Sequence, residues 1–395
     1  MHSLMDKNKN QSKGNTISMS RETRTVQALG FEDESSGALV PPVHFSTTFA
    51  RDAEDYQTPQ GRSYLRCDGA TQELAEAILA DLESAEESMV FSSGIAACTA
   101  PFHGLKQGEH ALISRTLYHG VLSFVKEFSE SWGILIDYFE TGNLEELEQK
   151  LIPGKTQLVW LETPANPTWA ITDLETAAKL THQAGALLAV DSTVATPVLT
   201  RPLELGADLV CHSATKYLNG HSDVLAGFLA VRDPSLELWR RVKMHRKFGG
   251  TVLGSMEAFL LIRGMKTLHL RVQRQSQNAL ELARYLEAQG SINWVFYPGL
   301  ESNPGYPIAK KQMQGGFGGM LSFLVSGGKK EALEVLSRAQ VFKRATSLGG
   351  VESLIEHRKS SETVETETPD NLIRMSVGIE AVEDLLEDLR RMLQV

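Results

Sequence analysis

The chain has 395 residues, with 49 acidic and 39 basic side chains and a formal net charge of −10. That charge has the wrong sign for a protein that coats nucleic acid or an anionic membrane. The 42% of hydrophobic and 22% of charged residues exclude a disordered, collagen-like or coiled-coil chain. The length predicts a globular protein of two or three domains.

Cysteine usage and the N-terminus bear on location. Cys67, Cys98 and Cys211 form no C-x-x-C pair, so neither a zinc site nor a redox motif is predicted. The first residues lack the apolar stretch of a secretory signal, and no uncharged apolar run approaches the roughly 20 residues of a membrane helix. We therefore expect a disordered arm over residues 1–20 and a cytoplasmic protein with no nucleic-acid or membrane partner.

Short apolar runs alternate with helical patterns from Glu87 onward. The runs are Ser88–Phe91, Ala111–Ile113, Ile134–Phe139, Leu158–Leu161, Leu187–Val190, Leu209–Cys211 and Phe228–Val231. Each is too short for a buried helix and lacks polar alternation, as in strands covered on both faces. Helical patterns such as Thr71–Leu82 and Leu174–Ala184 lie between them. This order predicts an α/β fold with a mainly parallel seven-stranded sheet flanked by helices.

The pattern changes after about Ser255. A helix-rich stretch runs to Leu286, and strand candidates follow at Trp294–Phe296, Met320–Val325 and Leu372–Val377. They predict a smaller α+β domain, closed by an amphipathic last helix, whereas the charged stretch Glu356–Glu367 is predicted to be a solvated loop. The predicted division is an N-terminal arm (residues 1–65), a central domain (residues 66–255) and a C-terminal domain (residues 256–395).

Polar residues just after the apolar runs are the candidates for chemistry, because open parallel sheets bind ligands beyond the carboxyl ends of their strands. Ser93, Gly94 and Ile95 open a helix whose free N–H groups can hold an anion. Asp191 ends a buried strand, where a carboxylate is costly unless a cation or several donors meet it. Lys216 follows the next strand. Taken singly, a tight turn, a helix cap and a surface lysine explain these features equally well.

In combination with Tyr118, these residues describe the requirements of pyridoxal phosphate (PLP). The cofactor needs an amine for a Schiff base, a carboxylate at the ring nitrogen, a phosphate cradle and an aromatic face. Ser213 to Lys216 also matches the S-x-x-K motif of penicillin-binding enzymes, but the S-D-N and K-T-G partners of that motif are missing. The eleven histidines form no H-E-x-x-H motif, and no metal site is predicted.

Three segments resemble the Cys/Met metabolism (transsulfuration) family of PLP-dependent enzymes, which includes cystathionine γ-synthase, cystathionine γ-lyase and methionine γ-lyase. They are SATKYLNGHSD from Ser213, SLGGVESL from Ser347 and RMSVGIE from Arg374. The likeness runs from about Thr25 to the C-terminus. It implies the type I fold of PLP-dependent transferases, with the cofactor bound in the central domain.

The resemblance also implies residue roles. Lys216 would form the Schiff base, Asp191 would pair with the ring nitrogen, and Tyr118 would stack on the ring. The residues implied at the phosphate are Ser93, Gly94, Ile95, Ser213 and Thr215, with Tyr64 and Arg66 of a neighbouring subunit. The residues implied around the substrate are Arg374, Ser347, Asn166, Glu162 and Tyr118. The sharing of Tyr64 and Arg66 implies a homodimer, paired again into a homotetramer.

The position of Arg374 can also be predicted from the strand pattern. Ile373, Met375 and Val377 alternate with it, so the arginine lies on the other, exposed face of the strand. By the resemblance Arg374 grips the substrate carboxylate as a two-pronged fork. Lys216 then removes the α-proton, and Tyr118 serves as acid or base while a γ-substituent leaves.

The resulting hypothesis is a γ-lyase for homocysteine-type or homoserine-type amino acids that gives a 2-oxo acid and ammonia. The alternative is γ-replacement, as in cystathionine γ-synthase or O-acylhomoserine sulfhydrylase, with β-elimination ranked lower. A non-catalytic PLP-binding regulator has no support, because the catalytic set is complete. Thr346 stands where cystathionine-handling members carry glutamate, and His119 where relatives carry glycine or cysteine. An oxygen-linked leaving group, as in acylated homoserine or canavanine, is therefore a further alternative.

Overall fold

The computed structural model describes residues 18–58, 61–362 and 366–394. The arm predicted to be disordered over residues 1–20 lies almost entirely outside these ranges. Within them the strands are β1 Glu87–Phe91, β2 His110–Ser114, β3 Leu135–Phe139, β4 Thr156–Glu162, β5 Leu187–Asp191, β6 Leu209–His212, β7 Gly227–Val231, β8 Ile292–Phe296, β9 Met320–Val325, β10 Lys343–Arg344, β11 Leu354–His357 and β12 Leu372–Ser376.

The helices of the first part of the chain are α1 Arg21–Val26, α2 Ala70–Glu83, α3 Gly94–His103, α4 His119–Trp132, α5 Leu144–Lys150, α6 Leu174–Gln183, α7 Thr196–Leu199 and α8 Glu237–Gly249. Those that follow are α9 Ser255–Met265, α10 Leu268–Glu287, α11 Tyr306–Gln312, α12 Lys329–Ser337, α13 Arg358–Ser361 and α14 Val382–Leu393. Two short 3-10 helices lie at Ala28–Gly30 and Pro202–Leu205.

All seven predicted apolar runs form one seven-stranded sheet, in the order β1-β7-β6-β5-β4-β2-β3. β7 runs antiparallel to both of its neighbours, and the remaining pairs are parallel. The predicted mainly parallel sheet is thus confirmed. The direction of β7 could not be predicted, because a continuous apolar run has the same pattern in either direction.

Helices cover both faces of this sheet, so successive residues of a strand enter different hydrophobic cores. Val159 and Leu161 of β4 belong to the core that includes α2, α6 and α9. Leu158 and Trp160 of the same strand belong to the core that includes α3, α4 and α8. Burial on both faces explains the absence of polar alternation in the seven runs.

A second sheet of five strands has the order β10-β11-β12-β9-β8. Its pairs are antiparallel except for the parallel pair β10–β11. Its core, which includes α12 and α14, contains Ile373, Met375 and Val377. The boundary between this core and the large-sheet core falls inside α10, since Val272 packs in one and Ala279 in the other. The domain limits at residues 65 and 255 stay a prediction.

Two expectations about charged residues are wrong. The stretch from Glu356 was predicted as a solvated loop, yet Glu356 lies in β11, Arg358 opens α13, and both are buried. Arg374 does lie opposite the apolar face of β12, but only 4% of it is exposed. The two errors share a physical cause, because Arg374 and Arg358 share the carboxylate of Glu356 and so need no water.

The carboxyl ends of the central strands place polar residues in a row. In the parallel register Glu162 of β4 pairs with Asp191 of β5, and Asp191 pairs with Cys211 of β6. Four residues beyond β6, Lys216 lies in a turn closed by the hydrogen bond from its own N–H to the carbonyl of Ser213. No helix in the described part of the chain has the length and apolar character needed to span a membrane.

Candidate active site

The side chain of Lys216 links the two sheets. Its ammonium group donates a hydrogen bond to the Ser347 Oγ at 2.9 Å, across the gap between β6 and the segment after β10. Burial, helped by the positive charge of Arg374, lowers the pKa of Lys216 to about 8. A lysine with such a pKa carries a substantial neutral fraction near neutral pH, as a nucleophile or general base requires.

Asp191 is held in place by the chain that follows it. Its Oδ1 accepts hydrogen bonds from the backbone N–H of Thr193 at 3.0 Å and from the hydroxyl of Thr193 at 2.6 Å. The same hydroxyl accepts a hydrogen bond from the N–H of Ser213 at 2.8 Å. Thr193 thereby ties the carboxylate of β5 to the segment that carries Lys216, a connection that sequence reasoning missed. An aspartate two residues before a threonine is its only signal.

Glu162 lies beside Asp191 and is buried. Burial, together with the charge of Asp191, raises the pKa of Glu162 well above its ordinary value. Its two oxygens accept hydrogen bonds from the backbone N–H groups of Tyr118 and Asn166, each at 2.8 Å. Glu162 therefore fixes the start of α4 and the loop after β4, and the structure shows it anchoring neighbouring residues by their main chain.

The N-terminus of α3 forms the anion cradle that the sequence predicted. Ser93 caps the helix, its Oγ accepting a hydrogen bond from the N–H of Ala96 at 3.2 Å. A Cβ at Gly94 would come within 2.5 Å of the Ser213 Oγ, so only glycine lets the helix approach the segment after β6 this closely. Main-chain N–H groups of Gly94 and Ile95 and the Ser213 hydroxyl thus lie together at a positive helix end.

Thr215 sits beside this cradle but already has a partner. Its hydroxyl donates to the carbonyl of Ala226 at 3.1 Å and accepts from the N–H of Ala226 at 2.9 Å. These bonds pin the segment after β6 against the residue that precedes β7. The phosphate role predicted for Thr215 therefore stays a prediction.

Tyr118 immediately precedes α4 and remains 43% exposed. A Cβ at Gly120 would lie 2.6 Å from the Tyr118 Cε1, so the ring lies directly over the glycine. The next ring, His119, has its centroid 4.7 Å away. Burial and the charge of Arg358 lower the pKa of His119, which keeps its imidazole neutral at neutral pH.

Arg374 is connected to most of the other predicted substrate residues. Its Nη1 donates to the Asn166 Oδ1 at 3.1 Å, and its Nη2 donates to the carbonyl of Ser347 at 3.0 Å. Because Ser347 also accepts from Lys216, the amine and the guanidinium are joined through a single residue. Ser347 adopts a φ of 128°, a left-handed backbone conformation that is rare for a serine and is typical of functional sites.

A buried ion network behind Arg374 was missed by the sequence reasoning. Arg374 Nη2 and Arg358 Nη1 lie 2.7 Å and 3.2 Å from the same oxygen, Glu356 Oε1. Arg358 Nε contacts the Glu362 Oε1 at 3.1 Å. Glu356 Oε2 is buried and has no hydrogen-bond partner among the described residues. The alternating charges leave the network close to neutral overall, although burial lowers the pKa of Arg374 to about 10.

Tyr64 and Arg66 are not brought to this site by a single chain. Both are exposed, and the Arg66 guanidinium lies 5.2 Å from the centroid of the Tyr64 ring. Among the described residues, no hydrogen bond or ion pair joins either side chain to Lys216, Asp191 or Ser213. Their predicted role in a neighbouring subunit therefore stays a prediction.

The residues present fit PLP. The Gly94 position, where a Cβ would strike Ser213, provides an anion cradle, and Asp191 provides a carboxylate at a strand end. Lys216 supplies an amine of lowered pKa and Tyr118 a half-exposed aromatic face. Within the described ranges no group of three or more His, Cys, Asp or Glu side chains could hold a metal ion. The fold and the site together define a PLP-dependent enzyme.

Comparison with known proteins gives the same result. The family described as Cys/Met metabolism PLP-dependent enzyme matches residues 22–394. The chain is 39% identical over 377 residues to cystathionine gamma-synthase of Mycobacterium tuberculosis (strain H37Rv), which covers 94% of this chain and 96% of the relative. It is 38% identical over 374 residues to L-methionine gamma-lyase of Pseudomonas deceptionensis, with 91% and 93% covered.

A crystal structure of cystathionine gamma synthase from Xanthomonas oryzae pv. oryzae, in complex with aminoacrylate and cysteine, superposes with a TM-score of 0.91. Its sequence identity is 33%, and 96% of this chain and 98% of that chain are covered. The chain belongs to the Cys/Met metabolism family of PLP-dependent enzymes. The elimination and replacement reactions of this family are the chemistry to which its site belongs.

Proposed function

We propose that this chain catalyses γ-elimination on a γ-substituted L-amino acid of the homocysteine or homoserine type, giving a 2-oxo acid and ammonia. The observation that carries the proposal is the continuous connection Lys216–Ser347–Arg374. It places an amine of lowered pKa beside a guanidinium that can hold a carboxylate. An α-amino acid bound by its carboxylate at Arg374 therefore presents its α-carbon near the Lys216 amine.

Each residue has a distinct part in this proposal. Arg374 grips the substrate carboxylate, with Asn166 and Ser347 fixing the guanidinium. Lys216 carries the cofactor and, once released by the substrate, removes the α-proton and returns protons during elimination. The cofactor, when bound, supplies an acceptor for the electrons left at the α-carbon. Asp191 holds the ring nitrogen in its protonated form, and Tyr118 stacks on the ring and acts as acid or base.

The surroundings of the leaving group support a substrate without a distal ammonium. Thr346 precedes Ser347 and offers no carboxylate. The His119 imidazole, neutral because burial lowers its pKa, adjoins Tyr118 and can accept or donate a hydrogen bond. An oxygen-linked leaving group, as in acylated homoserine or canavanine, fits such a polar and uncharged pair. The alternative of γ-replacement is supported by the relatives named cystathionine gamma-synthase.

We also propose that the active enzyme is a homodimer with shared sites, paired into a homotetramer. The arm exposes a set of large apolar side chains, namely Leu39, Val40, Phe45, Tyr56 and Tyr64. A solvent-exposed apolar group of this size is typical of an interface. The proposal places this surface, with Arg66, on a neighbouring subunit. A cytoplasmic location is likewise proposed, and the three free cysteines support a reducing compartment.

A substrate panel tests the proposed reaction. The holoenzyme is incubated with cystathionine, methionine, homocysteine, O-acylhomoserines and canavanine, each with and without cysteine, and 2-oxo acid and replacement products are measured. Lys216→Ala, incubated in parallel, controls for turnover by free cofactor. Formation of 2-oxo acid from a γ-substituted substrate, unchanged by cysteine, supports γ-elimination. Cysteine-dependent products establish the replacement alternative, and turnover of β-substituted substrates alone contradicts both.

A further inference from the structure

Helix α3 approaches the Asp191 carboxylate from the side opposite Thr193. Cys98 lies on its second turn, and its thiol lies 3.6 Å from the Asp191 Oδ2. That distance is within the range of a sulfur hydrogen bond, since sulfur is larger than nitrogen or oxygen. Thr193 occupies the other oxygen, Oδ1, with two hydrogen bonds. The two carboxylate oxygens therefore have different donors, supplied by different elements.

A second thiol lies directly behind the first. The Cys211 Sγ of β6 is 3.3 Å from the Cys98 Sγ, and both cysteines are buried and free. Cys98 has one proton, which it donates to Asp191, so the hydrogen bond between the thiols is donated by Cys211. Cys211 also pairs with Asp191 in the register of β5 and β6. The two thiols and the carboxylate thus form a continuous relay.

The protonation state of the thiols agrees with this direction. The hydrogen bond with Cys211, burial and the nearby Asp191 charge raise the pKa of the Cys98 thiol well above its ordinary value. Burial likewise raises the pKa of Cys211. Both groups are therefore neutral S–H donors at neutral pH and add no negative charge beside Asp191.

We propose that Cys98 is a positioning residue for the cofactor: its thiol donates to the Asp191 Oδ2, is held in that orientation by Cys211, and so fixes the carboxylate that faces the ring nitrogen. The inference rests on the role proposed above for Asp191. It adds a residue type whose hydrogen-bonding function, as distinct from its packing, sets the orientation of a cofactor ligand.

The placement of Cys98 on α3 gives this contact a further consequence. Gly94 and Cys98 are four residues apart and so face the same side of the helix, about 6 Å apart along its axis. The helix start forms the anion cradle with Ser213, and the next turn holds Asp191. A single rigid element therefore sets the distance between the site for the phosphate and the site for the ring nitrogen.

Three substitutions separate hydrogen bonding from packing. Cys98→Ser keeps a donor, Cys98→Val keeps the volume without a donor, and Cys98→Ala removes both. Cys67→Val is the matched control, because Cys67 is a free cysteine outside the site. The readouts are the dissociation constant of added PLP, the circular dichroism of its visible band, which reports ring orientation, and kcat and KM on the substrate found in the panel.

We expect Cys98→Val and Cys98→Ala to weaken PLP binding by threefold to tenfold and to reduce the dichroism of the visible band. Their kcat should fall with little change in KM, because the Arg374 contacts are untouched. Cys98→Ser should match the wild type in PLP binding and dichroism, as should Cys67→Val. Retention of wild-type binding and dichroism by Cys98→Val would mean that the thiol only fills space, and would overturn the inference.

Two measurements keep the test of Cys98 independent of folding and of the role of Asp191. Thermal unfolding of each apoprotein shows whether a variant folds, and Cys98→Val is compared only with variants of similar midpoint. Asp191→Asn, measured in the same way, tests the assumption on which the inference rests. If Asp191→Asn leaves PLP binding and dichroism unchanged, the role proposed for Asp191 fails. If Asp191→Asn lowers both while Cys98→Val changes neither, only the inference about Cys98 fails.

Discussion

Arg374 Nη2 lies 2.7 Å from the Glu356 Oε1, on neighbouring strands that pair these two residues directly. Arg358 contacts the same oxygen, so Glu356 neutralises only part of the charge of each arginine. Arg374 is therefore fixed by a carboxylate and yet retains positive charge toward the site. This arrangement suits a residue that must bind and release a substrate carboxylate while staying in place.

The first prediction concerns Arg374 itself. We expect Arg374→Lys to raise KM for amino-acid substrates by roughly tenfold to hundredfold, since a charged hydrogen bond is worth about 1.5–3 kcal/mol and lysine cannot form the fork. The dissociation constant of PLP should change little. Steady-state kinetics measure the effect, with the exposed Arg390→Lys as control. An unchanged KM in Arg374→Lys would remove the carboxylate role.

The second prediction concerns Glu356. Glu356→Gln leaves Arg374 and Arg358 buried without their shared anion, and breaking a buried pair in this way typically costs several kcal/mol. We expect a loss of roughly 3 kcal/mol in the free energy of unfolding of the apoprotein, measured by urea denaturation. Glu387→Gln, which alters an exposed ion pair with Arg390, should stay close to the wild type. Equal midpoints for the two variants would contradict a structural role for Glu356.

The third prediction concerns the pH dependence of cofactor binding by Lys216, whose pKa is lowered to about 8. Below that pH the amine is protonated and cannot attack the PLP aldehyde, so the rate of rebinding to the apoprotein should rise about tenfold per pH unit and level off above about pH 8. An exposed lysine would level off only above its ordinary pKa of about 10.4. Visible absorbance follows the reaction.

Two variants should move this pH midpoint in opposite directions. The positive charge of Arg374 lowers the pKa of Lys216, so Arg374→Gln should shift the midpoint upward. The negative charge of Glu356 raises that pKa, so Glu356→Gln should shift the midpoint downward. Shifts of the same sign in both variants would show that the pKa of Lys216 is not set by these charges.

The fourth prediction concerns the sharing of sites between subunits. Lys216→Ala and Arg66→Ala should each be inactive or nearly so as homo-oligomers. When the two are co-expressed with different tags and purified as a mixed oligomer, one site of each mixed pair has both residues, and activity should return. Size-exclusion chromatography confirms that the mixed species is an oligomer. A mixed oligomer without activity would count against a site completed by a neighbouring Arg66.

Much of the fold could be predicted because buried parallel strands need continuous apolar residues, and all seven runs are strands of one sheet. Asp191 and Lys216 could be predicted as site residues because both follow such runs. The relation between Cys98 and Cys211 could not, since only the fold brings thiols 113 positions apart to 3.3 Å. Glu356 was mistaken for a solvated residue because a charged side chain has the same sequence pattern whether its partner is water or a distant arginine.

The central claim is that Lys216 is the residue that carries the cofactor. Reduction of the holoenzyme with borohydride fixes PLP to the lysine that holds it, and peptide mass mapping then identifies that lysine. We expect the added mass on the peptide that contains Lys216, and its absence in Lys216→Ala. The added mass on another lysine, or on none while the visible absorbance is present, would contradict the claim.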